Sequence, residues 1–149
     1  MIKKFLILNL FLLSFFLTNS YSDNNKYMSL KNKKVNVRYG PGLDYPIKFV
    51  FNKKNYPVEI IDQKENFRKI LDFKKNSGWI HRSQLKKSSS FITLDTVILF
   101  SDSTKFSRPI AKIESGRLLN KKKCNLNWCR VETGEYKGWV LKENLWGLN

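Results

Sequence analysis

Val35-Asn-Val-Arg-Tyr-Gly-Pro-Gly-Leu-Asp-Tyr-Pro46, answered later by Ser77-Gly-Trp-Ile-His81, decides the fold of this chain. Val35 and Val37 alternate with Asn36 and Arg38, the period-two pattern of a strand with one buried face. Gly40-Pro41-Gly42 stops that strand in a turn expected to need unusual backbone angles. Gly78-Trp79 lies on a later strand that pairs back and closes the same small unit. Lys137-Gly-Trp-Val140 repeats the closing pair.

Working outward, β signals recur and no segment carries a sustained 3.6-residue apolar period. Tyr27–Leu30, Ile47–Phe51, Pro57–Ile61 and Phe67–Phe73 read as further strands, and Ser83-Gln-Leu85 as one helical turn. About five short strands in roughly 55 residues imply a small closed barrel. Lys86-Lys-Ser-Ser-Ser90 reads as a polar linker. The order then recurs: Pro109-Ile-Ala-Lys-Ile113 follows Pro46-Ile-Lys-Phe-Val50 at an offset of 63, Asn127–Val131 follows Asn66–Ile70 at 61, and Lys137–Val140 follows Ser77–Ile80 at 60. Matched elements in one order indicate duplication with small loop changes. Where the first unit has Gly-Pro-Gly, the second has Asp102-Ser-Thr-Lys105, so its first loop must turn differently. The expected architecture is all-β, two tandem small barrels at 27–86 and 91–148.

Residues 1–22 read as a cleaved export signal, with an uncleaved anchor as the plain alternative. Lys3 and Lys4 precede an apolar run from Phe5 to Leu17, and Ser20 and Ser22 suit a peptidase site. The run is shorter than the roughly 20 apolar residues of a bilayer span. Removing it takes the formal charge from +16 to +14, because the segment holds two lysines and no acid. That excess favours anionic surfaces such as lipid headgroups or envelope polymers; a lysine-rich solvated surface is the plain alternative. Nucleic acid is not expected as a partner of an exported chain. Cys124 and Cys129, an even pair at short spacing in an oxidising compartment, read as a disulfide. A second Cys or His pair for a metal site is missing from the sequence, and a metal is not expected.

The run Val-Asn-Val-Arg-x-Gly-Pro-Gly-x-x-Tyr-Pro, then Val58-Glu-Ile-Ile61, Gly78-Trp-Ile-His81 and Leu85, resembles a bacterial SH3 domain. The second half, through Cys124–Val131, Tyr136-Lys-Gly-Trp139 and Leu145-Trp-Gly147, resembles the second repeat of exported alphaproteobacterial SH3-like proteins. Together the two resemblances span residues 27–148. They imply paired SH3-like barrels in the periplasm or cell envelope, without enzymatic activity or cofactor. Related modules accompany cell-wall hydrolases and bind peptidoglycan.

Candidate ligand residues are Arg38, Tyr39, Tyr45, Tyr56, Trp79 and His81. Tyr39 and Tyr45 flank the Gly-Pro-Gly loop, where SH3-type barrels border a peptide groove walled by aromatics; the plain alternative is that Tyr45-Pro46 only pins the loop. Trp79 offers a flat face for a sugar or peptide, or else packs inside its own barrel. Gly40, Pro41, Gly42, Gly78, Gly138 and Trp139 are expected to be structural. His81 has no neighbouring nucleophile or carboxylate motif for general-base work, and Asp44, Asp62, Glu65 and Asp72 form no poised acid pair. The expected function is non-catalytic recognition of peptidoglycan or its peptides. A scaffold that binds a peptide segment of an envelope protein is the alternative.

Overall fold

The computed structural model describes residues 26–149. The export signal expected at 1–22 lies outside the described residues. The described chain is all-β: β1 (Tyr27–Leu30), β2 (Val35–Arg38), β3 (Ile47–Phe51), β4 (Pro57–Lys64), β5 (Phe67–Leu71), β6 (Ser77–His81) and β7 (Leu85–Lys87), then β8 (Ser90–Thr93), β9 (Val97–Phe100), β10 (Pro109–Ile113), β11 (Leu118–Cys124), β12 (Trp128–Thr133), β13 (Tyr136–Leu141) and β14 (Leu145–Trp146). Two antiparallel sheets have the orders β3-β2-β6-β5-β4-β1-β7 and β10-β9-β13-β12-β11-β8-β14. The second order is the first shifted by seven strands. Each unit therefore has seven strands where the sequence suggests about five; the strand not foreseen is the short run after the 3₁₀ turn, which pairs with Tyr27–Leu30 so that Leu30 faces Leu85 and Ser29 faces Lys86.

The duplication extends to the irregularities. A register shift between Ile60 and Asp62 in β4 recurs between Lys121 and Lys123 in β11. Phe67 faces His81 and Trp128 faces Leu141; Ile70 faces Gly78 and Val131 faces Gly138. One-residue bulges bend a strand sharply, and here they curl each sheet around its own core. Barrel 1 buries Leu30, Val35, Val37, Val58, Ile70, Ile80 and Leu85. Barrel 2 buries Phe91, Val97, Leu99, Ile113, Leu119, Cys129, Val131, Val140 and Leu145.

Each Gly-Trp glycine sits where two strands nearly touch. A Cβ on Gly78 would lie 2.4 Å from Val37 Cγ1, and one on Gly138 would lie 2.5 Å from the Phe100 carbonyl oxygen. Any larger residue would push β6 off β2, or β13 off β9. The Gly-Pro-Gly turn corrects the expectation of unusual backbone angles, because neither Gly40 nor Gly42 has positive φ. Space is what Gly40 supplies: a Cβ there would lie 2.1 Å from the Tyr45 ring, which folds back over the turn.

The supposed linker is also corrected. Lys86 and Lys87 belong to β7 and Ser90 opens β8, so only Ser88 and Ser89 stand between the sheets. Ser29 and Ser90 are fully buried at the seam. Ser89 N–H donates to Ser29 Oγ (3.0 Å), the two hydroxyls are 3.2 Å apart, and Ser90 Oγ donates to the Asn55 carbonyl. Buried hydroxyls that satisfy one another in a chain avoid the penalty of unpaired polar groups. Asn55 Nδ2 donates to Asn120 Oδ1 (3.0 Å), and Asn149 bridges Tyr27 through N–H···Oδ1 (2.7 Å) and Nδ2–H···O (3.0 Å). Trp146 closes the seam edge-on against Tyr27 (5.2 Å) and Phe73 (5.8 Å). Serine-rich sequence here marks a packed joint between barrels, not a loose tether.

Candidate functional site

Barrel 1 gathers most of the sequence-derived candidates on its outer face. Along β6 burial alternates, with Gly78 and Ile80 inward and Ser77, Trp79 and His81 outward. Arg38 and Lys69 both face Trp79 across neighbouring strands, and Phe67 faces His81. Arg38, His81, Leu43, Phe67, Lys34, Asn36 and Gln84 line an open cavity of about 250 Å³. Leu43 reaches the cavity from the loop after β2, which also exposes Tyr39 and Tyr45; neither tyrosine lines the cavity. Tyr39 is 63% exposed, and Lys48 Nζ lies 5.6 Å from its ring centroid.

Arg38 and His81 each have a definite local task. The Arg38 guanidinium donates from Nη1 to the Tyr45 carbonyl (2.7 Å) and ties the loop to β2. His81 caps the 3₁₀ turn Arg82–Gln84, its Nδ1 accepting from Ser83 N (3.3 Å) and lying 2.7 Å from Ser83 Oγ. Its ring meets Phe67 edge to face at 5.2 Å. That helical turn begins one residue earlier than the sequence suggests, because the cap is His81 itself. The site thus offers a cationic edge, a phenylalanine floor and an apolar Leu43 rim. Such a set can hold an extended polar chain carrying carboxylates.

Trp79 and Trp139 correct the packed-core alternative: both are half-buried and lie on the outward face of their strands. The core place on each strand is taken by Ile80 or Val140. Lys123 Nζ sits 5.4 Å from the Trp139 ring centroid, a cation over an aromatic face. Gly78, Gly138 and Gly40 occupy the tight places described above, and a Cβ on Gly42 would lie 2.2 Å from Asp44 Oδ1. Pro41 lies between Gly40 and Gly42 in the turn.

Tyr56 is not part of this group. It lies with Phe49, Phe51 and Phe73 in a cleft of about 620 Å³ that barrel 2 borders through Gly116. Its ring stacks obliquely on Phe51 at 5.3 Å. Burial, with a smaller contribution from the Asp72 carboxylate, pushes its phenol up to about 12. Asp72 itself closes the following turn, accepting from Asn76 N (2.7 Å) and Asn76 Nδ2 (3.0 Å). Because the folded state holds Tyr56 protonated beyond its ordinary range, that contribution to stability is intact below about pH 10 and is lost as pH rises towards about 12. Tyr56→Phe is expected to flatten that alkaline loss while the parent shows it; urea midpoints measured from pH 9 to 12 would read the difference.

Leu43, Phe67, Lys34, Asn36 and Gln84 escaped the sequence reading. Lys34 and Asn36 could have been found, since they alternate with buried Val35 and Val37 and must share the outward face of Arg38. Phe67 carried no such signal: it resembles any core aromatic in sequence, and only its pairing with His81 brings it to the cavity. In barrel 2, Cys124 and Cys129 face each other in register and form the expected disulfide. Closing so short a loop contributes roughly 2 kcal/mol on the chain-entropy model. No cluster of metal-ligating side chains occurs among the described residues.

Two SH3-like barrels in tandem define the class. The bacterial SH3 domain model matches residues 31–87 and again 95–147, and the chain belongs to that family. Bacterial SH3 domains are binding modules. No curated protein is similar enough to count as a relative. Among solved structures, NlpC2 of Trichomonas vaginalis matches at 15% identity and a TM-score of 0.38, over 81% of this chain and 47% of that one. NlpC1 of the same organism matches at 14% and 0.37, over 80% and 45%. An NlpC/P60 family protein from Bacillus cereus matches at 12% and 0.38, over 80% and 55%. The chain spans about half the length of these three proteins.

Proposed function

We propose that this chain is an exported, non-catalytic binding module of the cell envelope, and that its first barrel recognises peptidoglycan or its stem peptides. On this reading, residues 1–22 are a removed leader and 27–86 and 91–148 are the two units. The observation that carries it is one open cavity on barrel 1 lined by Lys34, Arg38, Leu43, Phe67 and His81, with the exposed Tyr39 and Tyr45 on the same loop as Leu43. Exposed aromatics beside a cationic edge suit a polymer of sugars and carboxylate-bearing peptides, which offers apolar ring faces and negative charge together. Trp79 and Lys69 extend the same outward strip. Tyr56 stands apart from this surface and has no part in the proposed contact.

Retention of the processed protein on purified peptidoglycan tests the proposal. The parent is expected to bind, and Tyr39→Ala with Tyr45→Ala to weaken binding by about tenfold or more, equivalent to at least about 1.4 kcal/mol. Unchanged melting of the double variant would show that the loop change spared the fold. Retention no greater than that of a neutral control protein would sink the proposal. Recovery of one dominant protein partner by crosslinking in cells would replace it with the scaffold alternative.

A further inference from the structure

The most exposed large apolar side chains of the described chain are not in the first barrel. Phe106 is fully exposed and Leu126 is 85% exposed, on two loops of barrel 2 that border one open cavity with Trp128 and Leu141. Both loops are held firmly. Leu126 stands at the tip of the β11–β12 hairpin, which the Cys124–Cys129 disulfide closes and Asn125 Oδ1 braces by accepting from Trp128 N (2.8 Å). In the Phe106 loop, Ser107 Oγ donates to the Thr104 carbonyl (2.9 Å), and Asp102 Oδ1 accepts from Ser103 N (2.7 Å). Local hydrogen bonds thus fix each backbone without using either apolar side chain. Folding gives no reason for a phenylalanine at the outermost point of a loop.

Comparison of the barrels narrows the question. At an offset of 63, Phe106 corresponds to Leu43, so both barrels carry an apolar loop tip. At an offset of 61, Leu126 corresponds to Glu65, so only barrel 2 pairs that tip with a second one. The segments 101–108, 123–130 and 141–143 carry Lys105, Arg108, Lys123, Arg130 and Lys142 against Asp102 and Glu143, five cations to two anions. Of these, Lys105, Lys142 and Glu143 line the cavity between the tips. Two protruding apolar tips with lysines between them do not suit a rigid partner, which would have to supply a matching pocket for each. A bilayer deforms around a convex tip, and its anionic headgroups complement the cationic excess of these segments.

We infer that barrel 2 docks on an anionic lipid bilayer, with Phe106 and Leu126 entering the headgroup–acyl boundary and the surrounding lysines and arginines contacting lipid phosphates. This contact is separate from the proposed peptidoglycan surface of barrel 1, and either can fail without the other. Insertion at each tip adds apolar burial to electrostatic adsorption, so the two contributions can be separated by experiment.

The test uses the processed protein, its first residue fixed by intact mass, with vesicles of phosphatidylglycerol and phosphatidylcholine or of phosphatidylcholine alone. A Phe106→Trp variant places a reporter at the tip. Its added emission is expected to shift to the blue and to be quenched by brominated acyl chains only in the anionic vesicles. Phe106→Ser with Leu126→Ser, melting as the parent does, is expected to lower co-sedimentation by about tenfold. Co-sedimentation with no quenching at position 106 would reduce the contact to charge adsorption and overturn the inference. Loss of peptidoglycan retention in the double serine variant, with vesicle binding unchanged, would overturn it too and assign the patch to the polymer.

Discussion

Gly138→Val is expected to abolish the folded state of barrel 2. The β-carbon alone would lie 2.5 Å from the Phe100 carbonyl oxygen and 2.8 Å from Leu99 Cγ. The first is backbone and cannot swing aside, so β13 would have to leave β9 at the place where Trp139 pairs with Phe100. Overpacking a core costs roughly 1–3 kcal/mol and at times more, and three added carbons against backbone fall at the upper end. A unit of about 60 residues has little stability to lose. Gly134→Ala is the control: nothing lies within 4 Å of its Cβ, but φ is +57°, so it is expected to cost only roughly 1–2 kcal/mol. Chemical denaturation followed by tryptophan emission would compare them. A Gly138→Val melting point within about two degrees of the parent would mean that the strand crossing is looser than described.

Phe91→Ala should be nearly as damaging, for the opposite reason. Phe91 is the bulkiest fully buried side chain, seated at the start of β8 opposite Leu119 and packed in the barrel 2 core. Truncating a core phenylalanine costs about 3–5 kcal/mol, through lost transfer energy and the cavity left behind. Lys121 Nζ, 5.8 Å from the ring centroid, loses its aromatic partner as well. Because Ser90 precedes Phe91 and holds the seam, the damage is expected to reach barrel 1. A single shared unfolding transition, shifted together in both halves, is the result that coupling through the seam requires. A shift confined to barrel 2, with barrel 1 melting as in the parent, would show that the seam does not couple the two.

Much of this architecture was legible because β-sheets write their pattern into sequence with a period of two. Val35 and Val37 announced an inward face, the Gly-Trp pairs announced two strand crossings, and the offsets of 60–63 announced the repeat. Cys124 and Cys129 were readable as a pair because six residues can turn back on themselves. Other features were not legible. The Ser88-Ser-Ser90 run looked like a tether because serine is common in loops, yet Ser88 Oγ donates to the Gly147 carbonyl, Ser89 N–H donates to Ser29 Oγ, and Ser90 Oγ meets Ser29 Oγ and the Asn55 carbonyl. In sequence Trp79 reads either as a ligand face or as core packing and Trp139 as structural, and the strand's parity turns both outward. Tyr56 was grouped with Tyr39 and Tyr45 by residue type alone, and the fold carried it to the far cleft.

The sequence alone determined two small β units, their order, the disulfide and the loop that distinguishes the first unit from the second. These follow from local rules: alternation, turn residues and spacing act over a few residues and survive without knowledge of the rest. The tertiary structure alone decided which residues share a surface. Phe67 reaches Arg38 and His81 through strand pairing between distant segments, and Phe106 and Leu126 come to border one open cavity through the approach of two loops twenty residues apart. The Gly-Pro-Gly turn shows the division at one place. Its glycines were visible in the sequence, but that Gly40 makes room for the Tyr45 ring became apparent only when the chain had folded back upon itself.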